Sequence, residues 1–140
     1  MGPEFFRDLD LPTFQKIVEK SNSAIKPLLL DQKKISGVGN IYSNDGLNLA
    51  KIDPQRKASS LNPDEIKRLY ESLETVLKRG LQYGGASELS YVNALGQEGS
   101  YQKHFLVYGR AGKECFNCKG EIKKIMLGGR GTYFCPQCQK

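Results

Sequence analysis

CFNCKGEIKKIMLGGRGTYFCPQC, residues 115–138, holds every cysteine of the chain in two CxxC pairs. Cys115 and Cys118 are followed by sixteen residues and then by Cys135 and Cys138. Two residues between cysteines let one tight turn aim two thiolates at a single ion. Two such turns complete a closed tetrahedron, the spacing of a zinc site. A knuckle of this size buries too little apolar surface to fold alone, whereas a structural zinc contributes on the order of 10 kcal/mol. The rival readings are a redox dithiol or a pair of disulfides, but a redox CxxC sits beside a βαβ unit, and no such pattern surrounds these cysteines. Four thiolates leave a metal no open position, so one structural Zn2+ is expected, not a Lewis acid. EIKKIML and GTYF read as strands of a hairpin turned at Gly128-Gly129, with Arg130 at or near its tip. A guanidinium among glycines suits phosphate or is a solvated turn residue, and the residues alone leave both open.

Upstream the periodicity is helical. Asp10 and Pro12 cap a helix expected over Thr13 to Lys20, and Ser21-Asn22-Ser23 breaks it. AIKPLLLDQKKI, residues 24–35, reads as a second helix ended by Gly37. A third begins near Asn40, with Gly46 inside it, which at a cost of about 1 kcal/mol against Ala implies a packing reason. The clearest helix covers 63–83. Asn62 is its cap, Pro63 its first residue, Glu65 the partner of a capping box, and Ile66, Leu69, Leu73, Val76, Leu77 and Leu81 one apolar stripe. Its Lys67, Arg68, Lys78 and Arg79 read as a solvated face, and Gly84-Gly85 stops it. Residues 86–102 are loop-like, and HFLVYG, 104–109, reads as a short strand. His104, the lone histidine, reads as a surface residue and not a ligand. The fold class is mainly α: a helical bundle followed by a small β-hairpin zinc finger.

The chain has 140 residues, enough for one modest core with a satellite, and a net charge of +6 that suits a polyanion without requiring one. No run approaches the roughly 20 apolar residues that span a bilayer, and the N-terminus lacks the apolar core of a signal peptide. An intracellular, reducing setting is the default, consistent with thiolates instead of disulfides. Gly37-Val38-Gly39-Asn40 joins two apparent helices. It is no dinucleotide fingerprint, because no strand precedes it and Tyr42 stands where a third glycine belongs. Glycines before a helix start leave N–H groups open to an anion. Asn40 either adds its amide to that site or caps the helix.

IKPLLLDQKKISGVGNIYSNDGL, ASSLNPDEI, YGGASELSYVNALGQEGSYQ, VYGRAGKEC and GGRGTYFCPQCQ occur in the order seen in formamidopyrimidine-DNA glycosylases. From Gly2 to Lys140 the chain resembles the C-terminal half of that family, a helix–two-turns–helix DNA-binding region plus a zinc finger. The resemblance implies a helical domain at 1–109, with a lesion-capping loop at 86–102, and a four-cysteine finger at 110–140. It implies double-stranded DNA with a damaged or abasic site as partner. Asn40 and Arg130 would bind backbone phosphate, Arg130 also donating a proton in δ-elimination. Lys26 would face the lesion, Tyr108 would lie near the backbone, and Gly39 would offer its N–H beside Asn40. Lys33 is a generic phosphate candidate. It further implies a monomer of the bacterial cytoplasm, associated with the nucleoid and without a membrane partner.

The family's catalytic N-terminal proline and glutamate sit on a sandwich domain that these residues do not contain, so the chain is expected to bind DNA without glycosylase activity. Pro3-Glu4 is no substitute, because Gly2 makes the proline nitrogen an amide. Gly131, Glu98-Gly99-Ser100 and Asn22 depart from the family pattern. Two other readings compete: a stand-alone zinc-containing nucleic-acid-binding module with no enzymatic role, and a zinc-stabilised protein–protein adaptor.

Overall fold

A computed structural model describes residues 2–82 and 104–140. The expected loop at 86–102 and the helix stop at Gly84-Gly85 lie outside the described residues. The elements in chain order are α1 (Phe5–Asp8), α2 (Leu11–Lys20), α3 (Ile25–Leu29), α4 (Asn40–Ala50), a 3-10 turn (Ala58–Ser60), α5 (Pro63–Gln82), β1 (Lys123–Leu127) and β2 (Arg130–Phe134). No described helix is long and apolar enough to cross a membrane.

The start signals act as written. The Asp10 carboxylate accepts from the N–H of Thr13 at 2.9 Å. Asn62 and Glu65 exchange reciprocal side chain–backbone bonds of 2.8 and 2.9 Å, and Arg56 pairs with the same glutamate. On α5, Ile66, Leu69, Leu73, Val76 and Leu77 are buried against α4 and α2, but Leu81 is 67% exposed, so the stripe ends one turn early. Lys67 and Lys78 are exposed. Arg68 instead reaches across to donate its Nε to the Ala50 carbonyl at 2.6 Å, satisfying one orphan acceptor at the end of α4.

The second helix is shorter than expected, stopping at Leu29 instead of running to residue 35. Asp31 draws the chain off. Its side chain accepts from Lys33 N at 3.0 Å and its carbonyl from Lys34 and Ile35, a local turn that competes with helix. The residues that follow pair with the N-terminal segment. Gly2 N donates to Gln32 O, Ser36 N to Pro3 O and Phe5 N to Ser36 O. Gly37 then turns with φ +91°, a conformation that favours glycine. Ile35 and Val38, on either side of it, are fully buried.

The core joins Phe14, Val18, Ile25, Leu29, Leu47 and Leu73, with Phe5, Phe14 and Tyr70 ring to ring at 5.1–5.8 Å. A separate cluster, Val107, Cys115, Ile122 and Cys135, underlies the finger. There β1 and β2 pair antiparallel from Lys123↔Phe134 to Leu127↔Arg130. Gly128 and Gly129 both have positive φ (+61° and +78°), as a two-residue hairpin turn matched to strand twist requires.

Gly46 has the packing reason its sequence position implied: a Cβ there would lie 2.6 Å from Leu73 Cδ2 on α5. Exposed Gly→Ala in a helix stabilises by about 1 kcal/mol. Gly46→Ala should instead destabilise by about 1–3 kcal/mol through overpacking, read as a lowered urea midpoint at unchanged m-value.

Candidate nucleic-acid interface

The four cysteine sulfurs lie within 4.8 Å of one another. Cys115 and Cys138 Sγ are 3.7 Å apart and Cys118 and Cys135 Sγ 3.2 Å. Four sulfurs at about 2.3 Å from one tetrahedral ion stand about 3.8 Å from each other, so the set fits one zinc. The electrostatics agree. Burial pushes Cys115 up, but the N–H groups of Cys118 and Asn117 outweigh it and bring the thiol down to about 7. Burial and the neighbouring thiols drive Cys138 upward. A divalent cation is what lets all four ionise together. The finger holds one structural zinc, and no open coordination position remains for chemistry.

The finger is fixed to α4 by a row of amides at four-residue spacing. Asn40 Nδ2 donates to Gly131 O at 3.2 Å, and Asn44 Oδ1 accepts from Tyr133 N at 2.7 Å. Asn48 Nδ2 donates to Gln139 Oε1 at 2.9 Å. Gln139 Oε1 also accepts from Cys135 N at 2.8 Å, while its Nε2 donates to Ile52 O at 3.0 Å. Lys26 completes the seam. It is fully buried, and its ammonium donates to Asn40 Oδ1 at 2.6 Å, Thr132 Oγ1 at 2.9 Å and Gly131 O at 3.3 Å. Lys26 is therefore an interior strut between helix and finger.

The open question about Asn40 is settled against capping. Gly39 is the N-cap, and no side chain caps α4. Asn40 is the first helical residue, with its Oδ1 on Lys26 and one N–H of Nδ2 on Gly131. The amide has a second N–H, and the leading N–H groups of an eleven-residue helix have no intrahelical acceptor. Gly39 is exposed beside them. This is the geometry of an anion site, with the positive end of the helix dipole behind it. Arg130 is exposed as the first residue of β2, directly after the Gly128-Gly129 turn and so near the hairpin tip as expected. Lys33 is exposed in the turn after α3.

Residues 104–109 are not a strand; the segment wraps a carboxylate. Asp45 is fully buried on α4 and accepts from the backbone N–H groups of Leu106, Val107 and Tyr108 at 3.0, 3.0 and 3.1 Å. Tyr108 is half-buried, its ring 5.2 Å from Tyr133 and 5.6 Å from Phe105. His104 is exposed at the start of this stretch. Asp45 went unread in the sequence, as did Asn44, Asn48 and Gln139. The repeat of asparagine at 40, 44 and 48, on one face of the helix, is the signal that was there to find.

The formamidopyrimidine-DNA glycosylase H2TH domain matches residues 1–91, and the zinc finger found in FPG and IleRS matches residues 112–140. The chain belongs to the formamidopyrimidine-DNA glycosylase H2TH domain family. It is 45% identical to the formamidopyrimidine-DNA glycosylase of Streptococcus mutans, covering 100% of the chain and 52% of that protein. It superposes on Lactococcus lactis Fpg bound to abasic-site DNA with a TM-score of 0.89 and 41% identity, covering 100% of this chain and 52% of that one. It also superposes on the L. lactis enzyme bound to a FAPY-dG-containing DNA with a TM-score of 0.88 and 40% identity, covering 100% and 51%. The chain thus spans about half the length of the formamidopyrimidine-DNA glycosylases it matches.

Burial pushes Asp45 up to about 6, against the opposing pull of the three N–H groups and of Arg110. Its neutral form is therefore favoured by folding. That contribution is complete below the ordinary carboxylate range and is lost as pH rises through about 6. From about pH 5 to about pH 7.5 the stability of wild type relative to Asp45→Asn should fall by about 1 kcal/mol, measured by urea unfolding with zinc content checked at each pH. A difference that stays level across this range would remove Asp45 from the pH response.

Proposed function

We propose that this chain is the damaged-DNA-binding half of an oxidised-purine DNA glycosylase/AP lyase of base excision repair. The uncapped start of α4, with Gly39 and the second N–H of Asn40, takes a backbone phosphate. Arg130 on the finger takes phosphate from the other side, and Tyr108 packs near the same strand. Lys26 serves from within, holding Asn40 and the Gly131 carbonyl in register. One observation carries this reading: Asn40 both starts the open helix terminus and bonds the residue next to Arg130. The two phosphate-binding elements are therefore one rigid body, preorganised for a single bend of the backbone. Structural neighbours bound to abasic-site and FAPY-dG DNA support duplex DNA carrying such damage as the partner.

The helical body at 1–109, with a lesion-capping segment at 86–102, and the finger at 110–140 form the proposed division, Val107 at the junction packing into the finger's core. The protein acts as a monomer in the bacterial cytoplasm, associated with the nucleoid. Base excision is assigned to a separate catalytic domain, with Arg130 supplying the δ-elimination proton only when both are present. The tie between Pro3 and Ser36 supports this: Pro3 is built into the body by backbone bonds and its nitrogen is an amide. It is no free amine for attack on a sugar.

Fluorescence anisotropy on a duplex carrying a tetrahydrofuran abasic analogue tests this reading. The zinc-loaded chain should bind it more tightly than undamaged duplex, with log affinity falling linearly with log salt. Asn40→Ala and Arg130→Ala should each weaken binding by about tenfold and lower the slope by about one. Chelation of zinc should abolish binding. Borohydride treatment with an 8-oxoguanine duplex should trap nothing, and an adduct through residues 1–4 would overturn the division of labour.

A further inference from the structure

One side of α2 lines a groove. Phe14 and Val18 turn into the core, whereas Thr13, Lys16, Ile17 and Lys20 follow the helical spacing of a second stripe. Across from that stripe stand Leu28 of α3 and Lys34 in the turn that follows. Together they border a hollow of about 400 Å³, room for a bulky side chain and its backbone. The floor is apolar: Leu28 is buried, and Ile17 is half-buried against the core. The rim is basic, with Lys16, Lys20 and Lys34 all exposed.

No carboxylate lines the groove, and among the described residues none of the three ammonium groups makes an ion pair or a hydrogen bond. The acidic side chains of this region are engaged elsewhere. Asp10 accepts from Thr13 N at 2.9 Å, Glu19 from Gln15 Nε2 at 2.9 Å and Asp31 from Lys33 N at 3.0 Å, while Glu4 and Asp8 meet Arg7. Lys16 and Lys20 are like charges four residues apart, a spacing that disfavours the helix carrying them. Positive potential is thus gathered over an apolar floor. The lining shares no residue with the anion site at Gly39 and Asn40 or with the finger.

We propose that this groove docks an acidic peptide segment of a partner protein. One apolar side chain of the segment sits on Ile17 and Leu28, and flanking carboxylates meet Lys16, Lys20 and Lys34. Charge complementarity selects an acidic segment, since a basic one is repelled by the rim. The hollow selects peptide over nucleic acid: a sugar-phosphate strand brings charge for the rim but no apolar group for the floor. Asn22, exposed at the edge, offers its amide to the peptide backbone. The site goes beyond the DNA-binding reading and does not depend on it.

Anisotropy titrations of the zinc-loaded chain at low salt decide it, with two labelled peptides as probes. The first is a short run of aspartate and serine with one central phenylalanine, and the second has serine in place of that phenylalanine. The first should bind, and loss of its ring should weaken binding by about tenfold. Replacing Lys16 and Lys20 together by Gln should weaken the first peptide by about tenfold, while affinity for the tetrahydrofuran duplex stays as it was. Replacing Lys67 and Lys78 of α5 together by Gln removes the same charge elsewhere and should change neither. No binding of the first peptide, or equal binding of both, overturns the proposal. If the Lys67 and Lys78 pair matches the loss from the Lys16 and Lys20 pair, the effect is diffuse charge and the groove is not a docking site. If the Lys16 and Lys20 pair instead weakens the duplex and lowers its salt slope, these lysines belong to the nucleic-acid surface, and the peptide reading falls while the DNA-binding reading stands.

Discussion

The structure depends on how the free edge of β2 is satisfied. A two-stranded hairpin is marginal in water, and each of its outer edges presents unpaired N–H and C=O groups. Here α4 takes the place of a third strand. Asn40 and Asn44 meet the Gly131 carbonyl and the Tyr133 N–H, two of the groups that face away from β1. Asn48 continues the row through Gln139. Each bond contributes about 1 kcal/mol net, but losing one partner leaves a buried polar group unsatisfied and costs more. The row therefore specifies a single docking of the finger instead of merely adding to its stability.

Two sources of order meet along this seam. The body is held by apolar burial around Phe14, Leu29 and Leu73, which is sensitive to side-chain volume. The finger has only a small cluster around Val107 and Ile122 and depends on its metal. Gln139 couples the two. Its Oε1 accepts from the backbone of Cys135, a zinc ligand, and its Nε2 reaches the Ile52 carbonyl just past α4. Zinc coordination thereby sets the position of the backbone that carries Arg130, although the metal takes no part in any chemistry. Asp45 on the same helix does a similar service, fixing the segment that bears Tyr108 by accepting three backbone bonds at one carboxylate.

What was legible in the sequence was whatever short-range rules dictate. The CxxC spacing gave the metal site, Asn62 to Glu65 the capping box, and Gly128-Gly129 the turn, because each depends on residues within a few positions of each other. The misreadings share an opposite cause. HFLVYG resembled a strand by composition, but its N–H groups go to Asp45, about sixty residues earlier. The helix from residue 25 looked long because its apolar spacing persists, yet Asp31 and the N-terminal segment claim the backbone after Leu29. For Asn40 the residues alone left capping and anion binding both open, and only the finger, packed from 91 residues away, shows where its amide is engaged. The family resemblance implied that Lys26 would face a lesion, and no short-range signal disclosed that it is buried.

That burial bears on how the site works. The Lys26 ammonium sits beside the N-terminus of α4, so a full charge and the positive end of a helix dipole share one region, with Arg130 at its rim. Oxygens of Asn40, Thr132 and Gly131 accept from the ammonium, offsetting part of the cost of burying it. A phosphate at the open helix terminus would satisfy the orphan N–H groups of α4. Because the amide row and the zinc hold that terminus and the strand bearing Arg130 in one arrangement, an anion would meet both without first reorganising them.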